Sequence, residues 1–448
     1  MENYKKFISD LPYPVLNICS KLANNGFEAY LVGGAVRDML LHRDNGDNID
    51  YDIATNALPD EIKAIFSKAI YYGNFGTMLI HDNNIKVEIT PFRDDAPGRK
   101  PDYTFGGNIY TDLSRRDFTI NSMAFDIING QLIDPFGGQQ DLKKGVIRCT
   151  GSTKRIWEDP LRALRAARFQ AQLGFSIDPS TLYALKAHAS MLEQISKERI
   201  RDEIIKIVTA DFNFHGLTTL VVTDLMKYII PELIEGMGMP HFNKPIDVLE
   251  HNLLTCKVVR NTLPLRLAAL LHDVGKPRVA VLKEKGLVFP NHHIPSARLA
   301  KNILERLRFD NKTIQKVVLL IEHHMFFYSP ETPISRARLL VSKLGWDNIY
   351  DFVDLRIADR IASGFEHAKG KGLKKLISDL EILKKENSDY KIADLNISGH
   401  DLITKLDINP GPQIGEILDK LLEKVIENPE LNKKDTLLKL AKKLVKDV

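Results

Sequence analysis

The pattern of hydrophobic and polar residues changes near residue 150 of the chain. Before that point, short apolar runs typical of β-strands alternate with glycine-rich turns and helical stretches; the clearest are EAYLVGG, GTMLIH, IKVEIT, MAFDI and GVIRCT. After Gly151 the strand signals nearly vanish, and helical apolar spacing appears in stretches such as DPLRALRAARFQAQLGF and KERIRDEIIKIV. The pattern predicts an α+β fold with a small N-terminal β-sheet and an all-helical remainder.

Chain length and helix-breaking residues suggest how the chain divides. At 448 residues the chain is too long for one compact core, and its length is typical of about two to four domains. The lysine-rich segment Lys369–Lys375 has the composition of a linker. The sequence therefore predicts a head at 1–150, a helical neck and body at 151–244, a histidine-rich domain at 245–370 and a tail at 371–448.

Composition places the chain among ordinary globular proteins. Hydrophobic residues make up 44% and charged residues 27%, and every apolar run is cut by a charge well short of the about 20 residues that a membrane span needs. The N-terminal sequence MENYKKFISDLPYP lacks the apolar segment of a signal peptide. Cys19, Cys149 and Cys256 are odd in number and far apart, which predicts neither a disulfide framework nor a CxxC zinc site. We expect a cytoplasmic protein with no membrane partner.

Net charge alone does not indicate a nucleic-acid partner, because it is only +4. The local distribution is more informative: six lysines and two aspartates lie between Lys433 and Val448, on a segment with helical apolar spacing. Such a segment can neutralise backbone phosphates and release their counterions. A solvated amphipathic helix explains the same pattern.

Two acidic residues carry the first candidate chemistry. The sequence LVGGAVRDMLL predicts a strand, the turn Gly33-Gly34 and a helix whose free N–H groups can meet an anion. Asp50 and Asp52 follow in a β-like run, so their carboxylates project from one face and repel each other unless a cation lies between them. Phosphoryl transfer uses such pairs to hold two divalent ions, for which Mg²⁺ is suited. Glu88 is a candidate third carboxylate. A plain strand-to-helix turn and a surface-loop DxD are the alternatives.

Five motifs carry a family resemblance. In order they are GGAVRD with DYD, RRDFTINSMAFD (Arg115 to Asp126), DPFGGQQDL (Asp134 to Leu142), EDPLRALRAARF (Glu158 to Phe169) and KERIRDEI (Lys197 to Ile204). Together they resemble the motifs of class II tRNA nucleotidyltransferases, in the poly(A) polymerase/tRNA nucleotidyltransferase superfamily, over roughly residues 25 to 205. The resemblance implies template-independent addition of C, C and A, from CTP and ATP, to the 3′ end of tRNA, with release of pyrophosphate.

The resemblance also implies roles for particular residues. Asp50 and Asp52 would be the catalytic Mg²⁺ ligands, and the nucleotide would contact Gly33, Gly34, Arg37, Arg115, Arg116, Asp117, Asn121, Asp159, Arg162, Arg165 and Arg168. Guanidinium groups grip phosphate oxygens bidentately, and a carboxylate can accept the ribose 2′-hydroxyl.

The segment EDPLR is the candidate for choosing the base. Asp159 and Arg162 stand three apart at a helix start and share one face, where an acceptor and a fork of donors can match the edge of cytosine or adenine. Asp159 before Pro160 also resembles a helix cap. A solvated basic face is the alternative for Arg165 and Arg168.

One segment departs from the family pattern. Between Glu88 and Arg115 the stretch TPFRDDAPGRKPDYTF is a few residues shorter than the flexible loop the family usually carries, and Pro91 replaces a more usual threonine. A CC-only or A-only enzyme therefore stays an alternative. The sequence is also compatible with a poly(A) polymerase and with an HD phosphohydrolase whose head only binds RNA.

Histidines cluster in the second half of the chain. His251, the adjacent pair His272-Asp273, and Asp359 resemble the metal ligands of HD phosphohydrolases, and His292 with His323 or His324 could complete a second metal position. Neutral imidazoles beside carboxylates bind a divalent ion that activates water. The resemblance implies a phosphatase, a phosphodiesterase or a scaffold. A degenerate helical module with core histidines is the alternative.

The tail resembles the C-terminal RNA-binding tail of HD-containing members of the family. Gly399, Gly411 and Gly415 precede or punctuate predicted helix starts, whose free N–H groups could receive tRNA phosphates. Ordinary turns between packed helices are the alternative. The sequence makes no prediction of the oligomeric state.

Overall fold

The structure is a computed structural model that describes residues 5–43, 51–72, 76–82, 85–95, 103–241, 245–284, 286–365, 367, 369–386 and 391–446. It contains two compact units, Met1–Ile234 and Glu235–Val448. The finer division into four domains stays a prediction. Asp50 and residues 96–102 of the shortened loop lie outside the described residues.

A mixed β-sheet forms the centre of the first unit. Its described strands run in the spatial order β3-β4-β5-β2-β1-β8-β9, and only the pair β2–β5 is parallel. The strands are β1 (Ala29–Val32), β2 (Tyr51–Thr55), β3 (Ile70–Tyr72), β4 (Thr77–Asp82), β5 (Ile85–Pro91), β8 (Ala124–Asp126) and β9 (Gln131–Ile133).

Short strand pairs accompany this sheet. They are β6 (Arg93–Asp95) with β7 (Tyr103–Phe105), β10 (Val146–Ile147) with β11 (Ser176–Ile177), and, in the second unit, β12 (Val281–Lys283) with β13 (Gly286–Val288). The sequence did not predict the β12–β13 hairpin, because three-residue strands are too short to show a period of two.

Helices make up the rest of the first unit. They are α1 (Lys5–Asp10), α2 (Tyr13–Asn24), α3 (Gly34–Leu40), α4 (Pro59–Ile65), α5 (Ile109–Ser114), α6 (Gly138–Lys144), α7 (Lys154–Glu158), α8 (Leu161–Leu173), α9 (Pro179–Ala187), α10 (Lys197–Val208), α11 (Asn213–Val222), α12 (Met226–Ile229) and α13 (Pro231–Ile234).

The second unit is helical apart from its hairpin. Its helices are α14 (Val248–Val258), α15 (Leu263–Leu271), α16 (His293–Arg306), α17 (Asn311–His323), α18 (Ile334–Leu344), α19 (Trp346–Ala362), α20 (Lys371–Lys385), α21 (Gly399–Leu406), α22 (Pro412–Glu427) and α23 (Lys434–Lys446).

These elements confirm the predicted α+β class, but they do not agree with the predicted linker. The linker prediction for Lys369–Lys375 was wrong, because α20 begins at Lys371 and buries Leu376, Leu380 and Leu383 at helical spacing. None of the described helices is long and apolar enough to cross a membrane. The three cysteines are all buried and form no disulfide.

Strand register decides which side chains the central sheet buries. Leu31 pairs with Ile53, which pairs with Ile89, and all three side chains are fully buried. One position along, Asp52 pairs with Glu88. Because successive side chains in a strand point to opposite faces, burying the apolar row presents the two carboxylates together on the other face.

A buried ion pair ties α8 to the segment that follows α5. Asp117 is 6% exposed, its Oδ2 accepts a hydrogen bond from Arg165 Nε at 2.7 Å, and Arg165 Nη2 lies 2.6 Å from the same oxygen as an ion pair. Burial raises the pKa of Asp117, but the charge of Arg165 and hydrogen bonds from Asn121, Arg165 and the Phe118 amide lower it by more, to about 2.

This depressed pKa makes a prediction about acid stability. A carboxylate of folded pKa about 2 stabilises the fold at pH values above its unfolded pKa of about 4, by about 2 kcal/mol, and the contribution is lost as the pH falls through about 2. Asp117→Asn should lower the free energy of unfolding by about that amount at pH 7, and the difference from wild type should shrink below pH 4. Denaturant unfolding between pH 7 and pH 2.5 measures it. The exposed Asp202→Asn is the control, and a pH-independent difference would contradict the assignment.

Candidate nucleotidyl-transfer site and candidate metal centre

A glycine at the end of β1 makes room for the candidate catalytic carboxylate. Gly33 has φ 73° and ψ −134°, a conformation that side chains rarely adopt, and it lies immediately before α3. A Cβ at Gly33 would lie 3.0 Å from Arg116 Nη1 and 3.3 Å from Asp52 Oδ2. Gly33, Asp52 and Arg116 therefore meet at one point, as the motifs predict.

Asp52 has a second carboxylate beside it on the sheet. Its Cα partner in the parallel pair β2–β5 is Glu88, whose Oε1 accepts a hydrogen bond from Lys86 Nζ at 2.5 Å. Oxygen donors on one sheet face suit a hard divalent cation such as Mg²⁺. Glu88, the weaker candidate from sequence, is thus adjacent to Asp52.

One buried aspartate orients the two arginines of the RRD motif. Asp112, whose side chain is fully buried, accepts hydrogen bonds from Arg115 Nε at 3.1 Å and from Arg116 Nε and Nη2 at 3.2 and 3.0 Å. The two guanidinium groups are therefore held side by side, which suits recognition of neighbouring phosphate oxygens. Sequence reasoning missed Asp112, although its position three and four residues before the two arginines, at the end of α5, was a usable signal.

Asn121 links Asp117 to the helix after the glycine turn. Its Nδ2 donates to Asp117 Oδ1 at 3.1 Å, and its Oδ1 accepts from Arg37 Nη1 at 2.9 Å. Arg37 also donates to both carboxylate oxygens of Asp38 at 2.8 Å. This network fixes the predicted nucleotide-binding residues Arg37, Asp117 and Asn121 relative to one another.

Phe169 carries three cations around its ring. The guanidinium carbons of Arg37, Arg165 and Arg168 lie 5.2, 5.7 and 4.4 Å from its centroid. Arg168 is 7% exposed and donates to Glu203 Oε1 at 2.9 Å. A solvated basic face therefore does not describe Arg168, which lies in the interface between α8 and α10.

Asp159 lies between α7 and α8 and contacts the first residue of α8, but the N-cap of that helix is Pro160 and not Asp159 as predicted. Its Oδ1 accepts a hydrogen bond from the Leu161 amide at 3.1 Å, and its Oδ2 accepts one from Arg199 Nη2 at 3.2 Å. Arg199 lies in the KERIRDEI motif, so two of the predicted motifs converge on this carboxylate.

Arg162 is held from two sides. Its Nη1 donates to the carbonyl of Arg155 at 3.0 Å and to Glu158 Oε2 at 3.2 Å, and its Nη2 donates to the carbonyl of Arg115 at 2.9 Å. The base-selection candidate is thereby joined directly to the candidate triphosphate-binding motif.

The second unit brings six of the seven predicted metal ligands together. On one side of the cluster, His251 Nε2 lies 3.1 Å from His272 Nε2 and 3.3 Å from Asp359 Oδ1. On the other side, His292 Nε2 lies 3.1 Å from His324 Nε2 and 2.9 Å from Asp273 Oδ1. Donors bound to one ion at about 2.1 Å lie about 3–4 Å apart, so both groups have the spacing of a metal site.

Asp273 lies between these two groups. Its Oδ2 is 3.3 Å from His272 Nε2, and its Oδ1 faces His292 and, at 3.7 Å, His324. The side chain is only 2% exposed, and Lys276 Nζ lies 2.6 Å from Oδ2. A carboxylate with an oxygen on each side can bridge two ions.

The protonation of three imidazoles follows from their backbone contacts. The Nδ1 atoms of His272, His292 and His324 face the carbonyls of Ala269, Phe289 and Ile321 at 2.9, 2.9 and 2.7 Å. A carbonyl only accepts, so Nδ1 carries the proton and Nε2 presents its lone pair to the cluster. Burial lowers the pKa of His272 and of His324 to about 4, which keeps both neutral at physiological pH.

His323 is the predicted ligand that the structure leaves outside the cluster. Its Nδ1 faces the carbonyl of Leu319 on its own helix at 3.0 Å, and His324 supplies the ring that the cluster needs. His241, which the sequence reasoning did not single out, lies against the cluster with Nε2 3.5 Å from Asp273 Oδ2. Arg356, also missed, donates to Asp359 Oδ2 at 3.1 Å.

Three family models match successive parts of the chain. They are the poly(A) polymerase head domain at residues 29–148, the RNA- and SrmB-binding site of polymerase A at residues 174–237, and tRNA nucleotidyltransferase domain 2 at residues 293–441.

Individual relatives extend this match over the whole chain. A CCA-adding enzyme of Leuconostoc citreum is 33% identical over 447 residues, which cover 98% of each chain. A CCA-adding enzyme of a Geobacillus species is 45% identical over 220 residues, covering 48% of this chain and 54% of that one. The crystal structure of the Bacillus stearothermophilus CCA-adding enzyme in complex with CTP matches with a TM-score of 0.68 at 28% identity, covering 98% of this chain and 99% of that one. The chain therefore belongs to the CCA-adding enzyme family of tRNA nucleotidyltransferases.

Proposed function

We propose that the chain adds C, C and A in turn, from CTP and ATP, to the 3′ end of tRNA without a template. The observation that carries the proposal is the meeting of Asp52, Gly33 and Arg116 at the end of β1, beside Glu88. A metal-binding carboxylate and a phosphate-binding guanidinium at one point are the parts that nucleotidyl transfer requires.

The proposed reaction is attack of the tRNA 3′-hydroxyl on the α-phosphate of the nucleotide, with pyrophosphate leaving. Asp50 and Asp52 would hold Mg²⁺, which would lower the pKa of the attacking hydroxyl and neutralise the leaving oxygen. Arg115 and Arg116 would orient the triphosphate, and Asp117 would receive the ribose 2′-hydroxyl. Asp50 enters from the motif alone, since it lies outside the described residues.

Product analysis with an Asp52 variant tests this proposal. Given tRNA that ends at the discriminator base, together with CTP and ATP, the wild type should yield products ending in CCA on sequencing. Asp52→Asn should reduce incorporation at least about a hundredfold, because a lost metal ligand removes several kcal/mol of transition-state stabilisation, and should leave tRNA binding in a filter assay unchanged. Asp82→Asn, at the end of β4 in the same sheet, is the matched control. Products that stall at CC, or that appear only when CC is supplied, would select a specialist enzyme; full turnover by Asp52→Asn would refute the site.

We assign base selection to Asp159 and Arg162. Their side chains are held by Arg199 on one side and by Glu158 and the Arg115 carbonyl on the other. The Asp159 carboxylate can accept and the Arg162 guanidinium can donate hydrogen bonds to the edge of a base without a template strand. Because both side chains are already held in place, neither has to reorganise when the nucleotide binds.

A change in nucleotide preference is the expected result of removing this pair. Asp159→Ala or Arg162→Ala should reduce the ratio of kcat/KM for CTP over UTP by about ten- to hundredfold, since a bidentate contact to a base edge contributes about 1–3 kcal/mol. Single-nucleotide incorporation kinetics measure the ratio, which separates lost selection from a general loss of rate. Arg155→Ala, one turn earlier on α7, is the control. A ratio within twofold of wild type in both variants argues against the assignment.

We assign tRNA binding at a distance from the reaction to the tail. Helices α21 to α23 pack on one another and on Leu339 of α18, so the tail is a folded part of the second unit. Helix α22 begins at Pro412, between Gly411 and Gly415. A Cβ atom added at either glycine would have no heavy atom from another part of the chain within 4 Å, so the N-terminus of α22 is open and can receive a phosphate. Helix α21 is less suited, because Asp401 already caps its first turn.

We further propose that the second unit binds divalent ions and hydrolyses phosphate esters. The supporting observation is the approach of the Nε2 lone pairs of His292 and His324 to 3.1 Å, together with the same Nε2–Nε2 separation in the pair His251–His272. Neutral imidazoles in this orientation repel each other unless a cation lies between them. A bound ion would supply activated water, and the histidines and Asp273 would position it.

Metal content tests this second activity. After dialysis against Mn²⁺ or Zn²⁺, protein carrying Asp52→Asn, which removes the proposed transferase metal site, should retain two equivalents by elemental analysis, and the variants below are made in that background. Asp273→Asn should lose both, because Asp273 lies between the two groups, and His292→Ala should lose one. His323→Ala, next to His324 but outside the cluster, should behave as wild type. Hydrolysis of p-nitrophenyl phosphate should follow the metal content, and equal metal content in Asp273→Asn and wild type would reject the centre.

A further inference from the structure

His241 lies in the loop before α14 and is tied to the helix that carries His251. Its amide donates to the Ile246 carbonyl at 3.2 Å. Asp247 caps α14 through the Glu250 amide at 2.7 Å and also accepts from the Gly238 amide at 2.7 Å. The backbone at Gly238 and at His241 is therefore fixed to the start of α14.

The imidazole of His241 is buried against the candidate metal centre. It is 1% exposed, and it stacks on His251 with centroids 3.7 Å apart and planes 11° from parallel. Its Nε2 lies 3.5 Å from Asp273 Oδ2, the same distance that separates that oxygen from His251 Nε2. One donor atom from each of His241, His251 and Asp273 lies within 4.8 Å of the others.

From this geometry we infer that His241 is a further metal ligand, which donates to the ion held at the edge between His251 and Asp273. The inference rests on the proposed metal centre of the second unit. A donor triangle of this size matches the spacing of ligands around a divalent ion.

The added ligand makes the two metal positions unequal. At the first metal position, Oδ2 of Asp273 faces His241, His251 and His272. Asp359, next to His251, is a further donor at this position. Among the residues that the structure describes, the other side has three protein donors, from Asp273, His292 and His324. An ion with few protein ligands keeps open positions for water and for a phosphate oxygen, as catalytic metal sites do. The second position is therefore the one that receives substrate, and the first is mainly filled by protein.

A stacking role and a ligand role predict different results for His241→Phe. Phenylalanine keeps the ring stacked on His251 and the core volume but offers no donor atom. We expect full-length His241→Phe, stripped with EDTA and titrated with Co²⁺, to bind one equivalent at least tenfold more weakly or to lose it, and to show an altered visible absorption spectrum of the bound Co²⁺. His293→Phe, beside the cluster but outside its donor set, is the control and should titrate as wild type.

The possible outcomes distinguish the ligand role of His241 from the proposed metal centre itself. If wild type binds no Co²⁺, the metal centre itself is rejected, and the inference with it. If wild type binds Co²⁺ and His241→Phe matches it in affinity and spectrum, the centre stands and the ligand role of His241 is overturned. Thermal melts of the apoproteins check folding, and His241→Gln, a smaller polar replacement, serves in the same titration if the phenylalanine variant does not fold.

Discussion

The candidate nucleotidyl-transfer site depends on a glycine, Gly33, at the end of β1. At the end of β1, Arg116 and Asp52 approach the same point from different elements, and only a glycine with positive φ at position 33 leaves space for both. The strand register places Glu88 beside Asp52 on the same face of the sheet. The apolar row Leu31, Ile53 and Ile89 lies on the opposite face, toward the core. Placement of the charges therefore follows from packing of the sheet.

The two candidate sites manage buried charge in different ways. In the first unit, arginines neutralise the carboxylates: Asp112 holds two, and Asp117 and Glu203 hold one each. In the second unit, imidazoles surround Asp273 and Asp359, and each carboxylate has only one cationic side chain beside it among the described residues, Lys276 for Asp273 and Arg356 for Asp359. A divalent cation would add positive charge on the side of each carboxylate that faces the imidazoles.

Local motifs made much of the first site predictable. The glycine turn, Asp52 and the RRD motif are each contiguous in sequence, so their chemistry could be recognised without the fold. Apolar spacing also located α8 and α10 closely. The ion pair Arg168–Glu203 between those helices could not be foreseen, because it depends on how they cross. Asp112 escaped notice because a lone aspartate on a short helix resembles an ordinary surface residue until its burial is known.

In the second unit the sequence indicated which residue types could bind a metal, but not which of the histidines lie in the cluster. Of two adjacent histidines, helix geometry turns His324 into the cluster and His323 toward its own backbone. His241 lies ten residues before the first recognised ligand, in a loop with no periodic signal. The four-domain division and the roles of individual side chains stay predictions.

The burial of the metal-centre donors has a kinetic consequence. Side chains of His251, His272, Asp273 and His324 are at most 2% exposed, and backbone carbonyls hold three of the rings in place. An ion enclosed by such donors leaves only when the helices around it open locally, and such openings are infrequent in a packed core. The identity of the bound ion would then record which metal was abundant while the chain folded, rather than which one binds most tightly at equilibrium.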